Sequence, residues 1–332
     1  MHRSGTSAVA RLLNILGAAV PGNLMPPHAQ INAKGFWESI DIASLNDELL
    51  RRHRSRWDDV LSIPLDDPNQ ETWQDFELRA TELLDRDFLD AKLFVLKDPR
   101  ICRLLPHWIK VFEHLSIQPR VVIPIRHPLE VSASLKKRDG FPEEKSIYLW
   151  LRHIIDTERA SRNVPRAFVL YDDLLEDWQS TSVRIAAELG LIWPKPYDTA
   201  RNEVEIFLDT QLRHHRRQLD QLADGGTVAR ECRELYLALQ RNEPDISSLI
   251  DRIHASIAPA EEILTPVLQD VHRQLQLGEF SLAETKAWGS ELDTALQEAQ
   301  QNFNHLREEF DQKCRHVDLL MEETAQLKSA LS

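Results

Sequence analysis

Two short stretches carry side chains suited to holding an anion. Arg3-Ser4-Gly5-Thr6-Ser7 sets a guanidinium, three hydroxyls and a glycine ahead of the apolar series Val9, Leu12, Leu13 and Leu16. That spacing predicts a helix over 4–17 with the hydroxyls at its start. A helix N-terminus offers unbonded backbone N–H groups and the positive end of the peptide dipole, which together suit a phosphate or sulfate. Gly5 lets the backbone approach closely. The second stretch runs from Arg126 through His127-Pro128-Leu129-Glu130-Val131 to Ser134. Ser134 lies about two helical turns beyond Arg126, so an arginine fork and a serine hydroxyl can grip one further phosphate. The plainer alternative is a surface arginine and a helix-face serine.

Other charged groups flank these stretches. Lys97-Asp98-Pro99-Arg100 follows the apolar run Leu93–Leu96. Lys97 and Arg100 either line an anion or acceptor pocket or pair with Asp98. Asp98 can also imitate a metal-holding aspartate, but the loop at Arg3 lacks the GxxxxGK[ST] spacing and its lysine, which disfavours an ATP-driven kinase. Residues 211–217, Gln-Leu-Arg-His-His-Arg-Arg, form a basic island containing Arg213 and His214. They either close over a bound anion or form a solvated helix face.

The elements that must position these groups alternate. Leu93–Leu96, Arg120–Ile125 and Ala167–Tyr171 read as short buried strands. Helical patterns cover Ile40–Arg52, Thr72–Leu89, Ile101–His114 and Leu129–Lys137. The alternation predicts an α/β fold with a parallel sheet flanked by helices, and ligands in such sheets lie beyond the strands' carboxyl ends. Pro21–Gly35 reads as a long loop. Strands cease after about residue 220, and residues 226–285 read as helical with polar breaks. From Leu292 through Leu296, Ala299, Phe303, Leu306, Phe310, Val317, Leu320, Thr324 and Leu327 to Leu331, steps of three and four alternate, broken only by Lys313. This heptad favours a coiled coil, with a long helix packed on its own domain as the alternative. The division expected is therefore 1–220, 221–287 and 288–332.

Composition narrows the classes. A net charge of −13 argues against a general nucleic-acid binder, so an anionic ligand needs a local basic pocket. No apolar run approaches a membrane span and no signal-peptide pattern opens the chain, so a cytoplasmic location is expected. The three cysteines are widely spaced and form neither a pair nor a metal cluster, so no metal site is expected.

Taken in order, the stretches at Arg3–Ser7 and Arg126–Ser134 resemble the sulfotransferases that use PAPS (3′-phosphoadenosine 5′-phosphosulfate). Gly35–Leu50, Leu96–Trp108 and Leu170–Trp178 are similar to further motifs of bacterial members, so the resemblance spans roughly residues 1–220. It implies a P-loop-like α/β fold, with PAPS as sulfuryl donor, no metal, and a carbohydrate or other hydroxyl- or amine-bearing metabolite as acceptor. It implies that Ser4, Gly5, Thr6 and Ser7 cradle the 5′-phosphosulfate, that Arg3 meets the leaving phosphate and sulfuryl oxygens, and that Arg126 and Ser134 hold the 3′-phosphate. Cytosolic members of the family use a histidine as base, in a motif this sequence lacks, and other members use a glutamate after the first helix. Glu38 is the candidate, with Asp98 second, and the alternative for Glu38 is a cap on the helix that follows. Lys97, Arg100 and His214 are expected at the substrate pocket and Arg213 at the cofactor. The family places a strand and a glycine ahead of the first loop, whereas this loop opens at Met1. The expectation is a missing first strand, a start set too late or a fragment. A kinase-like nucleotide enzyme and a degenerate scaffold assembling through the coiled coil are the competing functions.

Overall fold

A computed structural model of the 332-residue chain describes residues 1–28, 32, 34–63, 70–208, 222 and 226–330. Helices α1 (Thr6–Ile15), α2 (Ile40–Arg52), α3 (Gln70–Phe88) and α4 (Ile101–His114) precede strand β1 (Val121–Ile125). Helices α5 (Pro128–Asp139) and α6 (Glu143–Ala160) lead to β2 (Arg166–Leu170). Then come α7 (Tyr171–Glu176), α8 (Trp178–Leu189), α9 (Tyr197–Phe207), α10 (Gly226–Gln240) and α11 (Ile246–Ala330). The chain is a helix-rich α/β protein.

β1 and β2 pair in parallel, from Val121 opposite Arg166 to Ile125 opposite Leu170. Period-two alternation gives the pair two apolar faces. On one, Ile123, Ile125, Phe168 and Leu170 pack with α5, α6, α10 and the opening turns of α11. On the other, Val122, Ala167 and Val169 pack with α1, α7, α8 and α9. A third cluster gathers α2, α3 and α4 around Trp108, which is fully buried.

The expected strand at Leu93–Leu96 is a single parallel bridge, Phe94 to Ala19, not a full strand. An apolar, β-prone run becomes a strand only with a partner along its length, and Ala19 provides one residue. Tyr171, expected to end β2, opens α7 instead. The first helix starts at Thr6, two residues later than its apolar pattern suggested.

The chain divides into two compact units, Met1–Pro266 and Val267–Ser332. α10 and the opening of α11, through Ile250, Ile253 and Ile257, pack within the first unit. The second unit is helical throughout its described residues. Among the described residues, no helix is long and apolar enough to cross a membrane.

Candidate functional site

The opening loop turns through left-handed backbone. Gly5 precedes α1 with φ +85°, and a Cβ there would meet Tyr171 Cδ2 at 2.4 Å. The close approach that Gly5 permits is thus made by the Tyr171 ring. Arg3 has φ +65° and Trp37, in the facing loop, φ +58°. Non-glycine residues adopt this region at a cost, and such strain concentrates where a site must be held in shape. Ser4 is buried, and the first backbone N–H groups of α1 lack acceptors within the helix.

Three distant segments converge on this loop. From α5, Ser134 Oγ accepts from Arg3 Nε at 2.6 Å. From the end of β1, Arg126 donates to the Arg3 carbonyl at 3.4 Å and to the Glu130 carboxylate at 2.9 Å, while its guanidinium lies 4.9 Å over the Tyr171 ring. Beyond Phe94, Lys97 Nζ donates to Ser7 Oγ at 3.3 Å and to the Phe36 carbonyl at 2.9 Å, and it forms a buried ion pair with Glu38. Arg126 and Ser134 therefore lie at one loop, as their spacing suggested, but the serine engages Arg3 rather than Arg126.

Burial sets the electrostatics. It raises the Glu38 carboxyl above its ordinary range, against the pull of Lys97. It lowers the Lys97 ammonium, against the pull of Glu38. Arg3 is lowered by burial and then by Arg138 and Arg126, so three cations crowd one loop in an acidic protein. Such a concentration of positive charge favours an anion. Glu38 does not cap the following helix: the Ser39 side chain accepts from the Ile42 N–H instead.

Asp98 has a different setting. Its carboxylate accepts from Arg100 Nη1 at 3.1 and 3.2 Å, from the Arg100 N–H at 2.8 Å and from Asn46 at 3.3 Å. Arg100 also bonds Asp47 at 2.5 Å and comes within 3.9 Å of Glu38. Asn46, fully buried, accepts from Trp108 Nε1 at 2.9 Å. Asp98 thus anchors Arg100 behind the Lys97–Glu38 pair. Asn46, Asp47 and Glu130 were missed by the sequence reading. Glu130 had a readable signal, its i,i+4 spacing from Arg126. Asn46 had another, a polar residue on the apolar face of Ile42, Leu45 and Leu49. Arg213 and His214 lie outside the described residues.

Comparison of the chain with family models, with curated proteins and with solved structures finds no match in any of the three.

Proposed function

We propose that this chain transfers a sulfuryl group from PAPS to a hydroxyl or amine of a carbohydrate or other metabolite, on a sulfotransferase-type P-loop-like fold. One observation carries the reading: Lys97, Arg126 and Ser134, from three segments, meet the Arg3–Ser7 loop at a helix N-terminus. Three cations, several hydroxyls and free N–H groups suit a ligand with two separated anionic groups. In this reading Ser4, Gly5, Thr6 and Ser7 hold the 5′-phosphosulfate, with Arg3 and Lys97 against the oxygens that gain charge. Arg126 and Ser134 hold the 3′-phosphate. PAPS supplies the activated sulfuryl group. An acceptor oxygen forms the new bond to sulfur, the bond from sulfur to the phosphate oxygen breaks with its electrons leaving on PAP, and Glu38 takes the acceptor proton. Asp98 acts through Arg100 as a positioning residue. A cytoplasmic setting belongs to the same proposal.

The test is calorimetric binding of PAP, the desulfonated product, against ADP, with Arg126→Ala beside the unaltered chain. PAP binding that exceeds ADP binding and is lost in the variant supports the reading. Equal, magnesium-dependent ADP binding would favour a kinase-like enzyme. No binding of either would favour a scaffold. We also propose that the heptad seam beyond Leu292 pairs with the same seam of a second copy.

A further inference from the structure

Ser7 and Lys97, two of the groups assigned above to the anion, are already fully engaged. A serine hydroxyl has one proton to donate and two lone pairs to fill. Ser7 Oγ donates to the Phe36 carbonyl at 3.0 Å and accepts from Asn32 Nδ2 at 3.2 Å and from Lys97 Nζ at 3.3 Å. An ammonium has three protons, and Lys97 directs its own to Ser7 Oγ, to the Phe36 carbonyl at 2.9 Å and to Glu38. With Ser7 and Lys97 both donating to it, the Phe36 carbonyl is filled as well. An anion arriving at the opening loop therefore gains Ser7 and Lys97 only by exchange.

The segment that such an exchange would release is strained. Trp37 follows Phe36 with φ +58°, a region that a tryptophan occupies at a cost. Rotation of the Phe36–Trp37 peptide would return Trp37 to negative φ, and the two bonds to the Phe36 carbonyl oppose that rotation. The Trp37 ring is held separately. The Arg11 guanidinium lies 4.5 Å over its face, its Nε1 donates to the Lys34 carbonyl at 3.1 Å, and it meets the Phe207 ring edge-on. Arg11 stands about one helical turn beyond Ser7, on the same face of α1. That face thus holds the segment twice: by a hydroxyl at the helix N-terminus, and by a cation–π contact one turn further along. Glu38 is the next residue after Trp37, so its carboxylate is carried by whatever the segment does.

We propose that Ser7 is a latch coupling occupancy of the opening loop to the position of Glu38. An oxyanion bound at the loop accepts the Ser7 hydrogen bond and draws the Lys97 ammonium to itself. The Phe36 carbonyl is then released, Trp37 relaxes about its Arg11 contact, and Glu38 leaves its ion pair. Hydrogen bonds and an ion pair are exchanged, and no covalent bond changes. The inference rests on the sulfuryl-transfer reading given above and supplies its order: the donor binds first, and Glu38 becomes a free base only once the donor is in place. Without the anion, Glu38 and Lys97 neutralise one another, which leaves neither charge buried alone. Ser7 is in this sense a positioning residue for the base.

The experiment follows hydrogen exchange of the Gly35 and Met25 amides in the full chain, without ligand and with saturating PAP or inorganic sulfate. The segment holds both amides: Gly35 donates to the Asn32 carbonyl at 3.2 Å, and Met25 to the Glu38 carbonyl at 2.7 Å. Either anion should speed the pair about tenfold or more, while the amides of α4 keep their rates. Ser7→Ala should exchange rapidly with and without anion, and Ser7→Thr, which keeps the hydroxyl, should restore the dependence. PAP that binds while Gly35 and Met25 are unchanged or slowed, or a Ser7→Ala chain that responds as the unaltered one does, would overturn the latch and leave the sulfuryl-transfer reading standing. Sulfate that speeds both amides while PAP binds no better than ADP would overturn that reading and leave the latch. Binding of neither anion would overturn both.

Discussion

Lys97 and Glu38 form a buried ion pair between loops 59 residues apart in sequence, and the same ammonium donates to Ser7 on the opening loop. The pair links the opening loop to the acceptor side of the proposed reaction. Neither member is independent of the other.

The pH dependence of the proposed sulfuryl transfer follows from that coupling. Glu38 must be ionised to accept a proton, and burial raises its pKa, so the acid limb lies above the ordinary carboxylate value near ~4.3. Lys97 must be protonated to stabilise developing negative charge, and burial lowers its pKa, so the alkaline limb lies below the ordinary ~10.4. Rate against pH should be a bell narrowed from both sides, with apparent values belonging to the pair. Glu38→Gln should lower kcat by about 10²–10⁴ and abolish the acid limb. A profile flat through the acid limb in the unaltered chain would remove Glu38 from the role.

Arg126 carries an opposing neighbour. Glu130 holds its guanidinium at 2.9 Å with both side chains largely covered, so an incoming phosphate competes with a carboxylate. Arg126→Ala removes the cation and leaves Glu130 facing the ligand. PAP binding should weaken by about 10–150-fold, the range of a charge-assisted bond. Glu130→Gln frees the guanidinium and should tighten PAP binding several-fold, with ADP, which lacks the 3′-phosphate, nearly unaffected. Equal effects on PAP and ADP would place Arg126 away from the 3′-phosphate.

Gly5 tests the loop itself. Alanine there adopts φ +85° and drives its methyl into Tyr171, a ring already held under Arg126. Strain and overpacking together should cost about 2–4 kcal/mol in urea unfolding. Adding Tyr171→Leu should recover the overpacking share and leave the backbone share. No recovery in the double variant would show that the ring contact is not the cause.

Local pattern made much of this fold legible. α2 and α4 fall on the residues their apolar spacing marked, Ile40–Arg52 and Ile101–His114, because period and caps are local properties. β1 and β2 were legible as short β-branched runs for the same reason. The run at Leu93–Leu96 carries the same preference, but pairing is tertiary, and with one bridge partner at Ala19 it forms no strand. At the site, residue types pointed to Arg3, Arg126 and Ser134 but not to the bond between Arg3 and Ser134. Two readings of Glu38, base or cap, were open because it stands just ahead of a helix. The structure gives the cap to Ser39, whose shorter side chain reaches the Ile42 N–H. The Asn46–Asp98–Arg100 network joins α2 to the loop ahead of α4 and was invisible to spacing within either.

The second unit makes a prediction of its own. Leu292, Leu296, Phe303, Leu306 and Phe310 share the seam spacing and are 58%, 67%, 60%, 63% and 66% exposed. A continuous apolar stripe of this kind in water favours burial against a helix of the same period. The full chain should therefore sediment as a dimer or higher closed oligomer at micromolar concentration. Leu306→Glu places a carboxylate on the stripe and should weaken association by about 100-fold or more. Lys313, which breaks the seam and is exposed, gives the opposite test: Lys313→Leu extends the apolar contact and should tighten association. Because the two substitutions pull in opposite directions along one helix, a general loss of folding cannot produce both results. A chain that sediments as a monomer in all three forms would show that the stripe does not pair with itself.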